Sequence, residues 1–324
     1  MKAVLCERYG PPDSLVLADI PSPVPEKGEV VVSVHAAGLN FPDLLIIQNR
    51  YQTKPPLPFS PGMEAAGIVK AVGEGVTTVA PGDRVMAYTR FGAFAEEVKT
   101  DASRVLPIPR GMDEATAAAF VVAYGTAHHA LADRGSVRTG ETVLVLGAAG
   151  GVGLAGVEIA KALGARVIAC ASREEKLALC RAHGADATIN YEAEDFRLRI
   201  ADLTDGRGAD VVYDPVGGKY TEPALRSTAW RGRVLVIGFA AGEIPRIALN
   251  LPLLKGCSIV GVYWGDYVRL ERTAAMATVD QLARWFQAGT LKPHVSATFP
   301  LERAAEALNL MAARQALGKI VLRA

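Results

Sequence analysis

Residues 141–170, ETVLVLGAAGGVGLAGVEIAKALGARVIAC, decide the fold of this chain. The stretch begins with an apolar run typical of a buried strand, passes through a glycine-rich turn into a helical pattern, and ends in a second apolar run. A strand, a helix and a second strand in this order form the unit from which parallel sheets are built. The sequence therefore predicts an α/β fold for this part of the chain.

Further apolar runs extend that sheet along the chain. They lie at 210–213, 233–237 and 258–264, and a helical pattern follows over 269–287. We expect these runs to belong to one doubly wound, six-stranded parallel sheet. We expect this sheet to form a domain at 123–265.

Before residue 122, short β-rich runs alternate with Gly and Pro turns, which predicts a compact and mostly antiparallel domain. The last run, GKIVLRA at 318–324, fits neither a helix nor the order of the parallel sheet, so we expect it to return to the first domain. A chain of 324 residues is long enough for two cores. The predicted domains are therefore 1–122 with 266–324, and 123–265.

The turn at 147–153 reads GAAGGVG and matches a phosphate-binding turn. Gly150 would let the backbone approach a pyrophosphate at the helix N-terminus, near Gly151 and Val152, and Gly153 would let the helix pack closely on the strand. The alternative is a tight turn that only needs positive φ angles. The strand before it and the helix after it favour a dinucleotide site.

The end of the second strand indicates which dinucleotide binds. NAD-binding folds place an acid about 20 residues after the turn, whereas this chain has Ser172, Arg173 and Lys176 there. Two cations and a hydroxyl suit the 2′-phosphate of NADPH. Alternatively, Ser172 and Glu175 form a capping box and the two bases only a solvated helix face. The absent acid favours NADPH.

Composition excludes several classes of partner. Half of the residues are hydrophobic, 21% are charged and the net charge is +1, so we expect neither nucleic acid nor a membrane surface as a partner. We find no signal peptide or membrane helix, and we expect a cytoplasmic protein.

The four cysteines form no CxxC pair and the five histidines have no metal-binding spacing, which favours ordinary packing for both.

Eight segments are more specific than the turn alone. They are AAGLNFPDLLIIQNRY at 36–51, PGMEAAGIV at 61–69, PGDRV at 81–85, GTAHHAL at 125–131, GAAGGVG at 147–153, GADATINY at 184–191, DVVYDPVGG at 210–218 and GKIVL at 318–322. Together they resemble the medium-chain dehydrogenase/reductase superfamily, and within it the zinc-independent NADPH:quinone oxidoreductases of the zeta-crystallin type. The resemblance implies a GroES-like catalytic domain and an inserted Rossmann domain that binds NADPH.

Zinc-binding relatives hold their catalytic metal with a Cys, a His in a GHE triplet, and a further Cys or Glu. The matching positions here are Asn40 and Met63, followed by an apolar FVVAYGTA stretch at 120–127. An amide and a thioether are poor zinc ligands, and no cysteine-rich loop is present for a structural zinc. The resemblance therefore implies no metal, and no flavin.

The candidate catalytic residues are Asn40, Asp43 and Tyr51, because their spacing resembles that of quinone oxidoreductases and of enoyl thioester reductases. Tyr51 is the candidate for polarising or protonating the substrate, or else a rim residue. Asn40 has an amide that could donate to the cofactor, or else satisfies a turn. Asp43 could orient Asn40 or Tyr51, or cap the helix starting near Pro42.

Further cofactor contacts are implied by the same resemblance. Thr126 matches a contact to the nicotinamide-side phosphate, and Tyr191 a residue near the adenosine phosphate. Lys319 matches a basic position close to the cofactor, although a surface position is the alternative. Four further residues match positions that line the nicotinamide pocket: Val216, Phe239, Tyr263 and Trp264. The alternative is that they are ordinary positions of the hydrophobic core.

The resemblance implies hydride transfer from NADPH to a quinone. A small-molecule enone or enoyl thioester, both α,β-unsaturated carbonyl compounds, is the alternative acceptor, and an NADPH-binding protein with a structural or regulatory role is an alternative of another class. The apolar run SIVGVYW at 258–264 is expected to be the edge strand through which a homodimer forms.

Overall fold

Residues Ala123–Lys292 form one structural unit, and Met1–Val122 together with Pro293–Ala324 form the other. The computed structural model describes all 324 residues. The second boundary lies after residue 292, whereas we expected it after 265. The physical reason is aromatic packing inside the second unit, where the rings of Trp285 and His128 lie 5.6 Å apart and hold the helix at 272–287 there.

The elements follow one another along the chain in three groups. Before the insertion they are β1 (Lys2–Leu5), β2 (Val16–Asp19), β3 (Glu29–Gly38), α1 (Phe41–Ile46), β4 (Glu64–Val72), β5 (Arg84–Tyr88), β6 (Glu97–Asp101), β7 (Val105–Pro107) and α2 (Glu114–Ala118). The next group is α3 (Val121–His128), β8 (Thr142–Val145), α4 (Gly151–Ala162), β9 (Arg166–Ala171), α5 (Glu174–Ala182), β10 (Ala187–Asn190), α6 (Phe196–Leu203), β11 (Ala209–Asp214), α7 (Thr221–Arg226), β12 (Thr228–Val236), α8 (Asn250–Lys255), β13 (Ser258–Gly261), α9 (Trp264–Leu270) and α10 (Arg272–Gln287). The last group is β14 (Val295–Pro300), α11 (Ala304–Ala312) and β15 (Lys319–Arg323).

The first unit is built on a seven-stranded sheet with the path β14-β15-β3-β4-β5-β7, and β6 also pairs with β3. All of its pairings are antiparallel except that of β14 with β15. The final run of the chain returns here as predicted, because β15 pairs with β3 through Leu322 and Ala37. Long β3 is largely buried and forms the centre of this core.

The second unit contains the predicted six-stranded parallel sheet, in the order β10-β9-β8-β11-β12-β13. This doubly wound order, with β8 at the point where the chain reverses direction across the sheet, confirms the α/β prediction. The edge strand β13 ends at Gly261, earlier than the predicted residue 264. Trp264 instead opens a helix, with Tyr263 in an extended conformation as its N-cap.

No helix of this chain combines the length and the apolar character that a membrane span requires.

Candidate active site

The glycine turn connects β8 to the N-terminus of α4, as the sequence predicts. Gly147 has a positive φ of 56°, and a Cβ at Gly153 would lie 2.2 Å from the Gly147 carbonyl oxygen, so only glycine allows this packing. A Cβ at Gly150 would meet its nearest neighbouring atom at 3.5 Å. Gly153 thus serves the packing of the turn, while Gly150 has room for a Cβ at an ordinary contact distance.

The residues after β9 carry the bases Arg173 and Lys176 together with the acids Glu174 and Glu175. Arg173 is exposed and acts as the backbone N-cap of α5, without a side-chain capping bond. Because the helix begins at Glu174, Ser172 is not its N-cap and the capping-box alternative is wrong. Glu174 pairs with Arg181 along the helix. This pairing directs the Glu174 carboxylate along α5.

Tyr191 lies beside the end of β9. Its backbone N–H donates to the carbonyl of Ala171, the last residue of β9, at 3.2 Å. Its ring lies 4.5 Å from that of Tyr220, centroid to centroid. The structure therefore brings Tyr191 next to the strand end that carries Ser172 and Arg173, and an aromatic pair borders the candidate phosphate site.

The loop after β11 is organised by Asp214, which sequence reasoning did not single out. Its buried carboxylate accepts the backbone N–H groups of Val216 and Gly217, both at 2.8 Å, and the hydroxyl of Thr221 at 2.6 Å. The sequence does contain a signal for this role, which is an aspartate at the end of a strand directly before Pro-Val-Gly-Gly. Asp side chains commonly accept hydrogen bonds from the backbone of such turns. The carboxylate fixes the loop that presents Val216.

Two of the predicted pocket residues lie around this turn. A Cβ at Gly147 would lie 2.7 Å from Cγ2 of Val216, and one at Gly217 would lie 2.8 Å from the ring of Phe239. Both side chains are half-buried. Val216 therefore borders the glycine turn, and Phe239 lies against the loop that follows β11.

Trp264 lies against the helix that carries Thr126. Its indole is 5% exposed, and a Cβ at Gly125 would lie only 2.5 Å from the indole ring. The indole Nε1 has no hydrogen-bond partner in the protein. Tyr263, just before it, is partly exposed. The close approach explains glycine at 125 and places Trp264 against the residue that precedes Thr126, which is itself buried.

In the first unit, Asn40, Glu64 and Lys319 form a buried polar cluster. The Asn40 side-chain amide donates to Glu64 Oε1 at 2.9 Å and to the Gly38 carbonyl at 3.3 Å. Its carbonyl oxygen accepts from Lys319 Nζ at 2.8 Å. Both hydrogens of the amide are engaged within the protein, so donation to a cofactor requires exchange of one of these two acceptors.

Lys319 is buried, so the surface alternative for this residue is wrong. Its ammonium donates to Glu64 Oε1 at 2.7 Å, to the Leu39 carbonyl at 2.7 Å and to Asn40. Glu64, which we had not assigned to the site, also accepts the backbone N–H of Val122 at 3.0 Å. The ammonium has three hydrogens and three acceptors, which offsets the cost of burying its charge.

Asp43 caps α1 from within the helix. Its carboxylate accepts the backbone N–H of Asn40 at 2.8 Å and that of Gly62 at 3.2 Å. The side chain is fully buried, and this desolvation raises its pKa to about 7. Asp43 therefore caps α1, as one of its two interpretations predicts. The pKa of its carboxyl group lies near neutral pH.

Tyr51 follows α1 and is half-buried, and its side chain packs against the hydrophobic core of the first unit.

Three comparisons with known proteins agree on the family. Residues 26–110 match the family model "Alcohol dehydrogenase GroES-like domain", and residues 151–282 match "Zinc-binding dehydrogenase". A quinone oxidoreductase-like protein 2 homolog from Nematostella vectensis is 40% identical over 99% of this chain and 88% of its own length. The chain belongs to the quinone oxidoreductase family of the medium-chain dehydrogenase/reductase superfamily. It is therefore an oxidoreductase, and the predicted family is confirmed.

Solved structures of this superfamily share the whole fold. The Escherichia coli quinone oxidoreductase complexed with NADPH superimposes with a TM-score of 0.95 at 29% identity and covers 100% of both chains. The CurK enoyl reductase superimposes with a TM-score of 0.90 at 27% identity, covering 99% of this chain and 98% of the other. The prediction of a GroES-like domain with a Rossmann domain is confirmed.

The donor set of this quinone oxidoreductase family member does not fit the zinc named in one of the matched models. Met63 is buried in the first unit, and the Asn40 amide is bonded to Glu64 and Lys319. The structure contains no group of three or more His, Cys, Asp or Glu side chains that could hold a metal ion. Zinc independence stays a prediction for this protein.

Proposed function

We propose that this protein is an NADPH-dependent reductase that delivers hydride to a quinone, without zinc or flavin. The observation that carries the choice of NADPH is the exposed Arg173, two residues after the end of β9, with no acid at the strand end. A 2′-phosphate carries nearly two negative charges, for which an arginine offers a planar, charged donor. The NADPH-bound Escherichia coli relative supports this choice.

Each predicted cofactor residue has a role in this proposal. The free N–H groups of Gly151, Val152 and Gly153 at the start of α4 bind the pyrophosphate over Gly150. Ser172, Arg173 and Lys176 bind the 2′-phosphate, with Tyr191 at its edge, and Thr126 binds the nicotinamide-side phosphate. Bound NADPH supplies the hydride from its nicotinamide. The pocket for that ring is lined by Val216, Phe239, Tyr263 and Trp264.

The first unit supplies the polar groups for the acceptor. Tyr51 donates a proton or a hydrogen bond to the oxygen that becomes negative when hydride adds to a conjugated carbonyl. Asn40 is held by Glu64 and Lys319, and its longest bond, to the Gly38 carbonyl at 3.3 Å, is the one it exchanges for the cofactor. Asp43 fixes the start of α1, the helix between Asn40 and Tyr51.

An enone or enoyl thioester is the second candidate acceptor, favoured by the likeness to an enoyl reductase over nearly the whole chain. Both acceptor classes take hydride at a carbon conjugated with a carbonyl, so the same polar groups serve either. The discriminating experiment follows NADPH oxidation at 340 nm with a small quinone, phenanthrenequinone, an enone and an enoyl-CoA. Turnover of the quinones supports the proposal, and turnover of the enoyl-CoA alone replaces it with the second candidate.

The same assay tests a function of another class. Tight NADPH binding with no turnover of any acceptor would contradict the enzyme proposal and favour a structural or regulatory NADPH-binding protein.

Separately, we propose that the protein is a homodimer joined through β13. This strand pairs only with β12, and its Ile259 is 43% exposed.

A further inference from the structure

Glu158 lies in the middle of α4, the helix that follows the glycine turn, and is 5% exposed. Its neighbours on this helix, such as Val157 and Ile159, are apolar and fully buried. An ionised carboxylate in such surroundings costs several kcal/mol unless it is paired and hydrogen-bonded. Packing of α4 alone would therefore favour an apolar residue here.

Every side of this carboxylate has a partner within the second unit. Oε1 lies 2.5 Å from Nδ1 of His183. Oε2 accepts the hydroxyl of Tyr124 at 2.8 Å and the backbone N–H of Lys292 at 3.0 Å. One buried group thus joins four segments that are far apart in the chain.

Three of these segments carry the cofactor contacts of the proposed function. Tyr124 precedes Thr126 by two residues on α3, a rise of about 3 Å along the helix. His183 is the C-cap of α5, the helix whose first turn follows Arg173 and includes Lys176. Glu158 itself belongs to the helix whose N-terminus receives the pyrophosphate.

We propose that Glu158 is a positioning residue for NADPH, which it does not contact, and that it acts by holding Tyr124 and thereby Thr126 in register with the glycine turn. The inference rests on the proposed function, because it concerns the same nucleotide site. A displacement of about 1 Å in a binding group far from the reacting atoms can lower activity about 100-fold. A fixed hydrogen bond between two helices prevents such a displacement.

The test compares NADPH with 2′,5′-ADP, which keeps the 2′-phosphate but lacks the nicotinamide half. In Tyr124→Phe the ring stays and the hydroxyl that donates to Glu158 is lost. We expect its Kd for NADPH, measured by calorimetry, to rise about 10-fold while its Kd for 2′,5′-ADP stays within about 2-fold of the unaltered protein. Glu158→Met should show at least the same loss for NADPH, together with a lower Tm, because it removes the acceptor of the Tyr124 hydroxyl and of the Lys292 backbone N–H.

Two controls separate positioning from general destabilisation. Tyr267→Phe removes another buried tyrosine hydroxyl of the second unit, bonded to Thr278 at 3.4 Å, and should leave NADPH binding unchanged. In Glu158→Gln, the amide oxygen still accepts from Tyr124 and Lys292, so binding should remain within about 3-fold.

Unchanged NADPH affinity in both Tyr124→Phe and Glu158→Met would overturn the inference. Equal weakening of NADPH and 2′,5′-ADP together with a lower Tm would also overturn it, because that pattern indicates a purely structural residue. If the unaltered protein does not bind NADPH, the proposed function fails first and this inference with it.

Discussion

The Lys319 ammonium lies 2.7 Å from the Glu64 carboxylate, and the two side chains are only 6% and 1% exposed. The pair connects the last strand of the chain to β4 and holds the Asn40 amide between them. Each charge thus compensates the other in a region that water does not reach. The free-energy cost of burying these two charges is offset only while both residues and their hydrogen bonds are present.

Lys319→Met should therefore destabilise the protein strongly, because it leaves the Glu64 charge buried and unpaired. We expect the free energy of unfolding in urea to fall by about 3–5 kcal/mol. Lys2→Met is the matched control, since Lys2 pairs with Glu302 on the surface, where both side chains are about half exposed. Its effect should stay below about 1 kcal/mol, and similar losses in both variants would contradict the role of the buried pair.

The raised pKa of Asp43 should make stability depend on pH. Burial raises this pKa from 3.8 to about 7, so between these values the folded state keeps a proton that the unfolded state releases. The contribution of Asp43 to stability is therefore fully present below about pH 4, falls as the pH rises to about 7, and is constant above that. Urea unfolding across this range should show a smaller decline for Asp43→Asn than for the unaltered protein. Parallel declines would show that Asp43 does not titrate in this window.

The two glycines of the turn should respond differently to alanine. Gly153→Ala places a Cβ 2.2 Å from the Gly147 carbonyl oxygen, so the turn must shift, and we expect a loss of about 1–3 kcal/mol in stability together with weaker NADPH binding. Gly150→Ala meets nothing closer than 3.5 Å and should unfold at the normal Tm, yet bind NADPH more weakly. Normal NADPH affinity in Gly150→Ala would contradict the proposal that the pyrophosphate binds at this turn.

Arg173→Ala should weaken NADPH binding much more than NADH binding, because only NADPH carries the 2′-phosphate. A hydrogen bond to a charged group contributes about 1.5–3 kcal/mol, so we expect a rise of roughly 10- to 100-fold in the Kd for NADPH, measured by fluorescence titration. Arg181→Ala is the control on the same helix, where the arginine pairs with Glu174. An equal loss for both nucleotides would contradict the assignment of Arg173 to the 2′-phosphate.

Ile259→Lys should convert the proposed dimer to a monomer. Ile259 lies in the middle of edge strand β13, and a lysine there opposes strand pairing between copies. Size-exclusion chromatography with light scattering measures the mass directly. A monomeric unaltered protein, or a dimer that survives the substitution, would exclude assembly through this strand.

Local sequence was sufficient to predict the two sheets and the turn at 147–153. Each depends on residues close together in the chain: the alternation of apolar residues, or the spacing of glycines between a strand and a helix. For the same reason the return of 318–324 to the first sheet was predictable, since its β-rich pattern fitted no other place.

Tertiary structure alone decided the environments of the polar residues. The chain separates Lys319 from Glu64 by 255 positions and Lys292 from Glu158 by 134, so no local pattern marks them as partners. Burial of Lys319, engagement of the Asn40 amide, the raised pKa of Asp43 and the boundary after residue 292 all follow from such distant contacts. The cost of burying a charge depends on which groups the fold places around it, and that placement is a property of the folded chain.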